Sequence, residues 1–252
     1  MAKKRRRKRP ESYTRRIYRQ LVDDAGLYAS RVKIRDTDLQ ILTDQDVGKK
    51  AQDLALKYRL QVESYISQHA DFLKSLVPLP NDTLAPLIVR DMLAAGRAAG
   101  VGPMAAVAGA IAEAVGRELV SGGCREVMVE NGGDIFLCRS TECTVAIFAG
   151  ESVLSMRVGV RLASAKTPVG ICTSSGTIGR SLSLGRADSV TVLSASTPLA
   201  DAVATRLGNV VGSEKNITEA LALAEFIPGV IGAVIICGDK LGAVGQIELI
   251  KM

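Results

Sequence analysis

The chain has 252 residues, 47% apolar and 23% charged, with 24 Gly and 8 Pro, a balance that excludes collagen, a disulfide miniprotein and bulk disorder and leaves enough chain for a sizeable core. The net charge of +6 is lopsided: residues 1–20 carry ten Lys or Arg against the single acid Glu11, and the rest of the chain carries 22 basic and 25 acidic side chains. The body is slightly acidic, so the charge argument for a nucleic-acid binder applies to one arm and not to the fold.

Residues 1–11 read as a basic flexible tail and residues 12–252 as a single domain. Alternation of Val32 and Ile34, then Leu39 and Ile41, around Arg35, Asp36 and Thr37 predicts a hairpin. A long helix should follow, capped by Asp46, with Ala51, Leu54, Ala55, Tyr58, Val62, Tyr65, Ile66 and Leu73 on one face. Prolines at 78 and 80 end it in a linker over 76–82. A second helix is expected from about Ala85 to Gly96. Pro103 opens a third, over 104–119, whose Ala and Gly content permits close approach of another backbone. Strands at 126–130 and 134–138 flank Asn131, Gly132 and Gly133, and Asn-Gly between apolar runs is a strong hairpin signal. Further strands are expected at 143–148, 154–160 and 189–193, helices at 198–211 and 217–226, and strands at 230–237 and 245–250 around a turn at 238–240. Grouped hairpins and helices indicate an α+β order, not an alternating doubly wound one.

No export signal follows the basic start, and no apolar run reaches the roughly 20 residues of a membrane span. A cytoplasmic chain is expected, with five cysteines (124, 138, 143, 172 and 237) as reduced, packed thiols. The single histidine, His69, has no Cys or His nearby for a zinc site, and one His leaves little room for a Ser-His-Asp mechanism.

Three segments invite chemistry. Gly100-Val101-Gly102-Pro103-Met104-Ala105 matches a dinucleotide fingerprint by letters, but it follows a helix and reads as a helix-to-helix turn. The stretch 170–181 lacks the spacing of a P-loop, yet Thr173, Ser174, Ser175 and Gly176 offer hydroxyls and an approachable backbone. Asp201 and Thr205 lie one turn apart on a helix, as a carboxylate and a hydroxyl suited to a hard cation; the competing reading is an Asp that complements the helix dipole beside a Thr bonded back to the helix.

Glu130-Asn131-Gly132-Gly133-Asp134, then Thr173-Ser174-Ser175-Gly176, then Ala200-Asp201-Ala202-Val203-Ala204-Thr205 occur in the order seen in the ApbE family of flavin transferases. With Val101-Gly102-Pro103-Met104-Ala105-Ala106, they resemble a cytoplasmic, uncharacterised branch related to ApbE. The resemblance implies an ApbE-like α+β fold of duplicated T-fold type antiparallel sheets with packed helix pairs. It implies FAD or FMN as cofactor, with Asn131, Gly132, Gly133, Asp134, Thr173, Ser174, Ser175 and Gly176 lining the flavin pocket. Asp201 and Thr205 match the Mg2+ ligands. Between Thr177 and Asp188 the chain has no Tyr, His or Pro where the transferases carry a His-x-Asp-Pro-x-Thr-Gly motif, and the lysine of the family's Lys-Gly step is absent. Three readings follow: a module that holds a flavin nucleotide or a related phosphate-bearing ligand, a divergent Mg2+-dependent FMN transferase or FAD pyrophosphatase, and an RNA-associated protein acting through residues 3–19. A homo-oligomer is left open.

Overall fold

The computed structural model describes residues 26–164, 167–177 and 184–252; the basic tail and the candidate nucleic-acid contacts at 3–19 lie outside them. A first unit runs from β1 (Tyr28–Ile34) and β2 (Thr37–Thr43) through α1 (Gly48–Gln68), α2 (Ala70–Lys74), α3 (Leu87–Ala99) and α4 (Val107–Ser121) to β3 (Val127–Asn131) and β4 (Asp134–Cys138). After β5 (Cys143–Ala146) and β6 (Val158–Leu162), a second unit repeats the order as β7 (Val169–Ser174), β8 (Ser189–Ser194), α5 (Thr197–Val210), α6 (Ile217–Glu225), β9 (Val230–Cys237) and β10 (Lys240–Gly245). The two units are each strand–strand, helices, strand–strand. They join edge to edge through β4 and β7, giving one antiparallel sheet in the order β1-β2-β3-β4-β7-β8-β9-β10. β11 (Glu248–Lys251) pairs with β6, which pairs with β5, in a separate three-stranded sheet.

The central strands of the large sheet are buried on both faces, and the period of two along each strand decides which side chain goes where. On β9, Ala233, Ile235 and Cys237 join the helix-side core while Val234 and Ile236 join the core beneath the small sheet. On β4, Phe136 faces the helices and Leu137 the small sheet. The duplicated antiparallel architecture with helices on one face is the expected one, and no single helix among the described residues is long and apolar enough to cross a membrane.

Four expectations need correction. The helix over 51–73 is two helices, because the chain breaks at His69 (φ −131, ψ 77), whose N–H still reaches the carbonyls of Tyr65 and Ile66. Asp46 does not cap it; Val47 holds that position, and Asp46 Oδ1 accepts from Gly48 N–H two residues on at 3.2 Å. The strand placed at 154–160 begins only at Val158, since a run of turns precedes it and Met156 adopts φ 60. Finally, the strand placed at 245–250 is divided. Lys240–Gly245 returns along β9, Gly245 takes φ 83, and Glu248–Lys251 crosses to the other sheet. An alternating apolar pattern cannot report such a change of partner.

The small residues of α4 do what their size allows. A Cβ on Gly116 would lie 2.1 Å from Phe136 Cδ1, so the helix rests on the ring because that position has no side chain. Ala is favoured over Gly in a helix by about 1 kcal/mol, whereas overpacking a filled core costs about 1–3 kcal/mol. Gly116→Ala should therefore be net destabilising in urea unfolding. A neutral or stabilised variant would show that Phe136 can step aside.

Candidate functional site

The turn between β3 and β4 is built by Gly132 (φ 73) and Gly133 (φ 108), the paired positive dihedrals of a tight two-residue hairpin. It is tied down on three sides. Glu130 Oε1 accepts from Gly133 N–H at 2.8 Å, Asn131 Nδ2 donates to Ala108 O at 3.1 Å, and Thr173 N–H donates to Gly133 O at 3.1 Å. The turn thus bridges α4 on one side and β7 on the other.

Beneath it lie two fully buried carboxyls. Asp134, the first residue of β4, has the Cys172 thiol and the Thr173 N–H as partners; burial first, and then the charge of Asp201, drive its pKa well above the ordinary carboxylate range. Asp201, in the second turn of α5, accepts from Gly109 N–H at 2.9 Å. Its carboxyl is pushed up to about 7 by burial, against the opposing pull of the Gly109 and Ala108 N–H groups. Cys172 donates to Thr197 O at 3.3 Å, and burial, then Asp134, raise its thiol. Neither carboxyl has a cationic side chain among these partners.

Asp201 also belongs to a second arrangement. Gly109 is the third residue of α4, where backbone N–H groups lack an intrahelical acceptor, and the α5 carboxylate supplies one. In return, Glu113 of α4 reaches the first N–H of α5, at Thr197, at 2.5 Å. Each helix caps the other's start. The crossing is close enough that a Cβ on Gly109 would sit 2.6 Å from Thr197 O.

The other candidates divide. Thr173 joins the cluster through its backbone while its hydroxyl meets that of Thr191 at 2.9 Å. Ser175 and Gly176 turn away: Ser175 Oγ pairs with Thr177 Oγ1, and Gly176 N–H donates to Ala187 O at 2.9 Å. Ser174 is half-buried at the end of β7, and Thr205 is half-buried one turn beyond Asp201. His69 is remote from all of them, stacked on Tyr65 at 4.0 Å. The Gly100 to Pro103 segment is a helix-to-helix turn, with Gly100 left-handed at the end of α3. Two concavities lie elsewhere, a groove of about 520 Å³ between α6 and β10 and a cleft of about 360 Å³ among α1, α3, α4 and the start of α5. None of the ten candidate residues lines either.

A family model described as AbpE bacteria matches residues 19–242. A UPF0280 protein of Methanocaldococcus jannaschii is 40% identical over 231 residues, covering 89% of this chain and 93% of the relative. A UPF0280 protein of Methanocella arvoryzae is 37% identical, covering 88% and 90%. Among solved structures, the flavin transferase ApbE from Vibrio cholerae superposes with a TM-score of 0.54 at 16% identity, over 87% of this chain and 97% of that one. An ApbE protein from Thermotoga maritima gives 0.53 at 11% identity, over 86% and 96%. At these identities the structural likeness shows the fold.

The raised carboxyls have a thermodynamic signature. Asp201 keeps its proton in the folded chain up to about pH 7, while the unfolded chain releases it near the ordinary 3.8. In that interval the native state binds more protons, so stability falls as pH rises through it. Carboxylates held low, such as Glu118 beside Lys57, act in the opposite sense, and their contribution is in place once the pH has passed the ordinary carboxylate range. In a chelating buffer the melting temperature should fall between about pH 5 and pH 7, and fall less in Asp201→Asn. A wild-type melting temperature that climbs over this range contradicts the assignment.

Proposed function

The chain belongs to the family described as AbpE bacteria, and from that premise we propose that it holds a flavin nucleotide, FAD or FMN, or a related phosphate-bearing ligand, against the turn of Asn131, Gly132, Gly133 and Asp134, and that Asp201 and Thr205 would hold Mg2+. Thr173 and Ser174 border the same place from β7, and Ser175 and Gly176 shape the loop that leaves it. The observation that carries the reading is the pair of buried carboxyls, Asp134 and Asp201, both held above their ordinary range by burial, with the charge of Asp201 adding to the effect at Asp134.

A buried negative pair without a cationic side chain is costly unless a positive charge joins it. Asp201, Asp134 and the Thr205 hydroxyl are hard oxygen donors, the type that suits Mg2+. The one soft donor, Cys172, is already committed to Thr197 O and Asp134. Asp201 and Thr205 are the residues that would hold the ion, with Asp134 setting the charge behind them. When bound, Mg2+ would neutralise phosphate charge. The chain's own contribution is orientation: Ala108 and Gly109 fix the Asp201 carboxylate, Asn131 fixes the turn to α4, and Gly133 leaves the approach open.

The name of the Vibrio cholerae neighbour suggests flavin transfer, and this chain's residues support retention instead. His69 stands at the break between α1 and α2, stacked on Tyr65, and among the described residues no His or Lys acts on Asp201. A cytoplasmic setting, with five cysteines outside any disulfide, belongs to the same reading.

Incubation with FAD, with and without Mg2+, followed by separation of FAD, FMN and AMP, tests it. Retained FAD without AMP is expected, and Asp201→Ala should lose the Mg2+-dependent part of the retention. AMP that forms in the wild type and disappears in Asp201→Ala would establish turnover instead. Absence of any flavin retention would sink the reading.

A further inference from the structure

The cleft of about 360 Å³ among α1, α3, α4 and the start of α5 is separate from the cluster around Asp201 and has a charge pattern of its own. Leu87, Ile88, Ala110, Ala114 and Pro198 provide its apolar wall. Its charged groups are Lys57, Asp91, Glu113, Arg117 and Glu118, and four of these neutralise one another. Lys57 Nζ meets Glu118 Oε1 at 2.8 Å, with Tyr58 OH donating to the same oxygen at 2.8 Å. Arg117 Nε meets Glu113 Oε1 at 2.6 Å.

Asp91 is left over. Among the described residues it makes no hydrogen bond and no ion pair, and it faces Glu113 across the cleft. Partial withdrawal from water, and then the charge of Glu113, raise its carboxyl above the ordinary range, while Arg90 and Arg117 act weakly the other way. The charged groups that line the cleft therefore sum to one net negative charge, carried by Asp91 and only weakly offset by Arg90 and Arg117, beside an aliphatic wall.

We propose that this cleft is a binding site for a small organic cation, a primary alkylammonium whose charge sits on Asp91 next to Glu113 and whose chain lies along Leu87, Ile88 and Ala114. The charge sign follows from the pairing: an anion would meet Asp91 unopposed, and a neutral ligand would leave it unpaired. The volume is at the small end of the roughly 300–1,000 Å³ range of small-molecule pockets, which fits a short amine. An ammonium is preferred to a bare metal ion because the other carboxylates of the lining, Glu113 and Glu118, are already engaged by Arg117 and Lys57, and an alkyl chain can use the apolar wall, which a metal ion cannot.

The probe is n-butylammonium chloride, titrated into the full chain with 13C-labelled alanine methyls, against sodium chloride, magnesium chloride and tetramethylammonium chloride at matched ionic strength. The Ala110 and Ala114 methyls should shift saturably with n-butylammonium alone. Tetramethylammonium cannot donate a hydrogen bond to Asp91 and should give no saturation. Asp91→Asn, a change at an exposed position, should weaken the apparent affinity by about tenfold or more, the range of a hydrogen bond to a charged group. Methyl shifts in Asp91→Asn equal to those of the wild type would overturn the proposal. So would a response that sodium or magnesium chloride reproduces, or no saturable response at all. A folded variant is verified in the same spectra, because methyls remote from the cleft keep their wild-type positions.

Discussion

The crossing of α4 and α5 brings two helices to backbone distance, and the two halves of the large sheet are joined beneath it. Two helices that start beside each other each expose backbone N–H groups with nothing to accept them. Here the shortage is settled crosswise, with Asp201 of α5 on Gly109 N–H and Glu113 of α4 on Thr197 N–H. The exchange requires contact at backbone distance, and Gly109 permits it. Because α4 lies on β3 and β4 while α5 lies on β7 and β8, this one crossing also locks the first unit to the second above the β4–β7 seam.

The same constraint explains why the candidate site lies where it does. The seam places Asp134 opposite Cys172 in the register, and the crossing lowers Asp201 onto that pair from above. Two acids thus become neighbours in a dry interior, where neither keeps its ordinary affinity for protons. A carboxylate that caps a helix and faces another carboxylate has two demands on it: the helix start favours its charge, and burial disfavours it. The balance lies near neutrality.

Much of the fold was legible in the residues, where local chemistry decided the outcome. Asn131, Gly132 and Gly133 announced their hairpin because only such residues populate the two positive φ values. Gly100 and Pro103 announced their turn because one ends a helix and the other starts one. The errors arose where partner choice decided. Residues 240–251 alternate without marking the point at which the chain leaves one sheet for another, and residues 154–157 resemble a strand until Met156 turns. Within the candidate site, Asp134, Thr173 and Asp201 were identified as separate motifs, and the structure draws them together. The Asp134–Cys172 contact and the Glu113–Thr197 bond left no mark in the pattern, since an acid on an amphipathic helix looks alike whether it meets water or another helix's backbone. Ser175 and Gly176 left their local partners equally unmarked in the pattern: Ser175 Oγ meets Thr177 Oγ1, and Gly176 N–H donates to Ala187 O.

The pairing of β11 with β6 has a kinetic consequence. β5 and β6 by themselves form a two-stranded ribbon, which is marginal in water. They become a sheet only when Leu249 and Ile250 arrive opposite Val160 and Gly159, after the whole second unit has intervened in the chain. Closing so long a loop is slow, because its entropy is lost before its contacts repay it. Until then Ile171, Leu193, Val234 and Ile236 on the underside of the large sheet await part of their cover. The small sheet is therefore expected to consolidate after the helix-covered face, and the period before it does is when the protein is most exposed to association through its bare sheet.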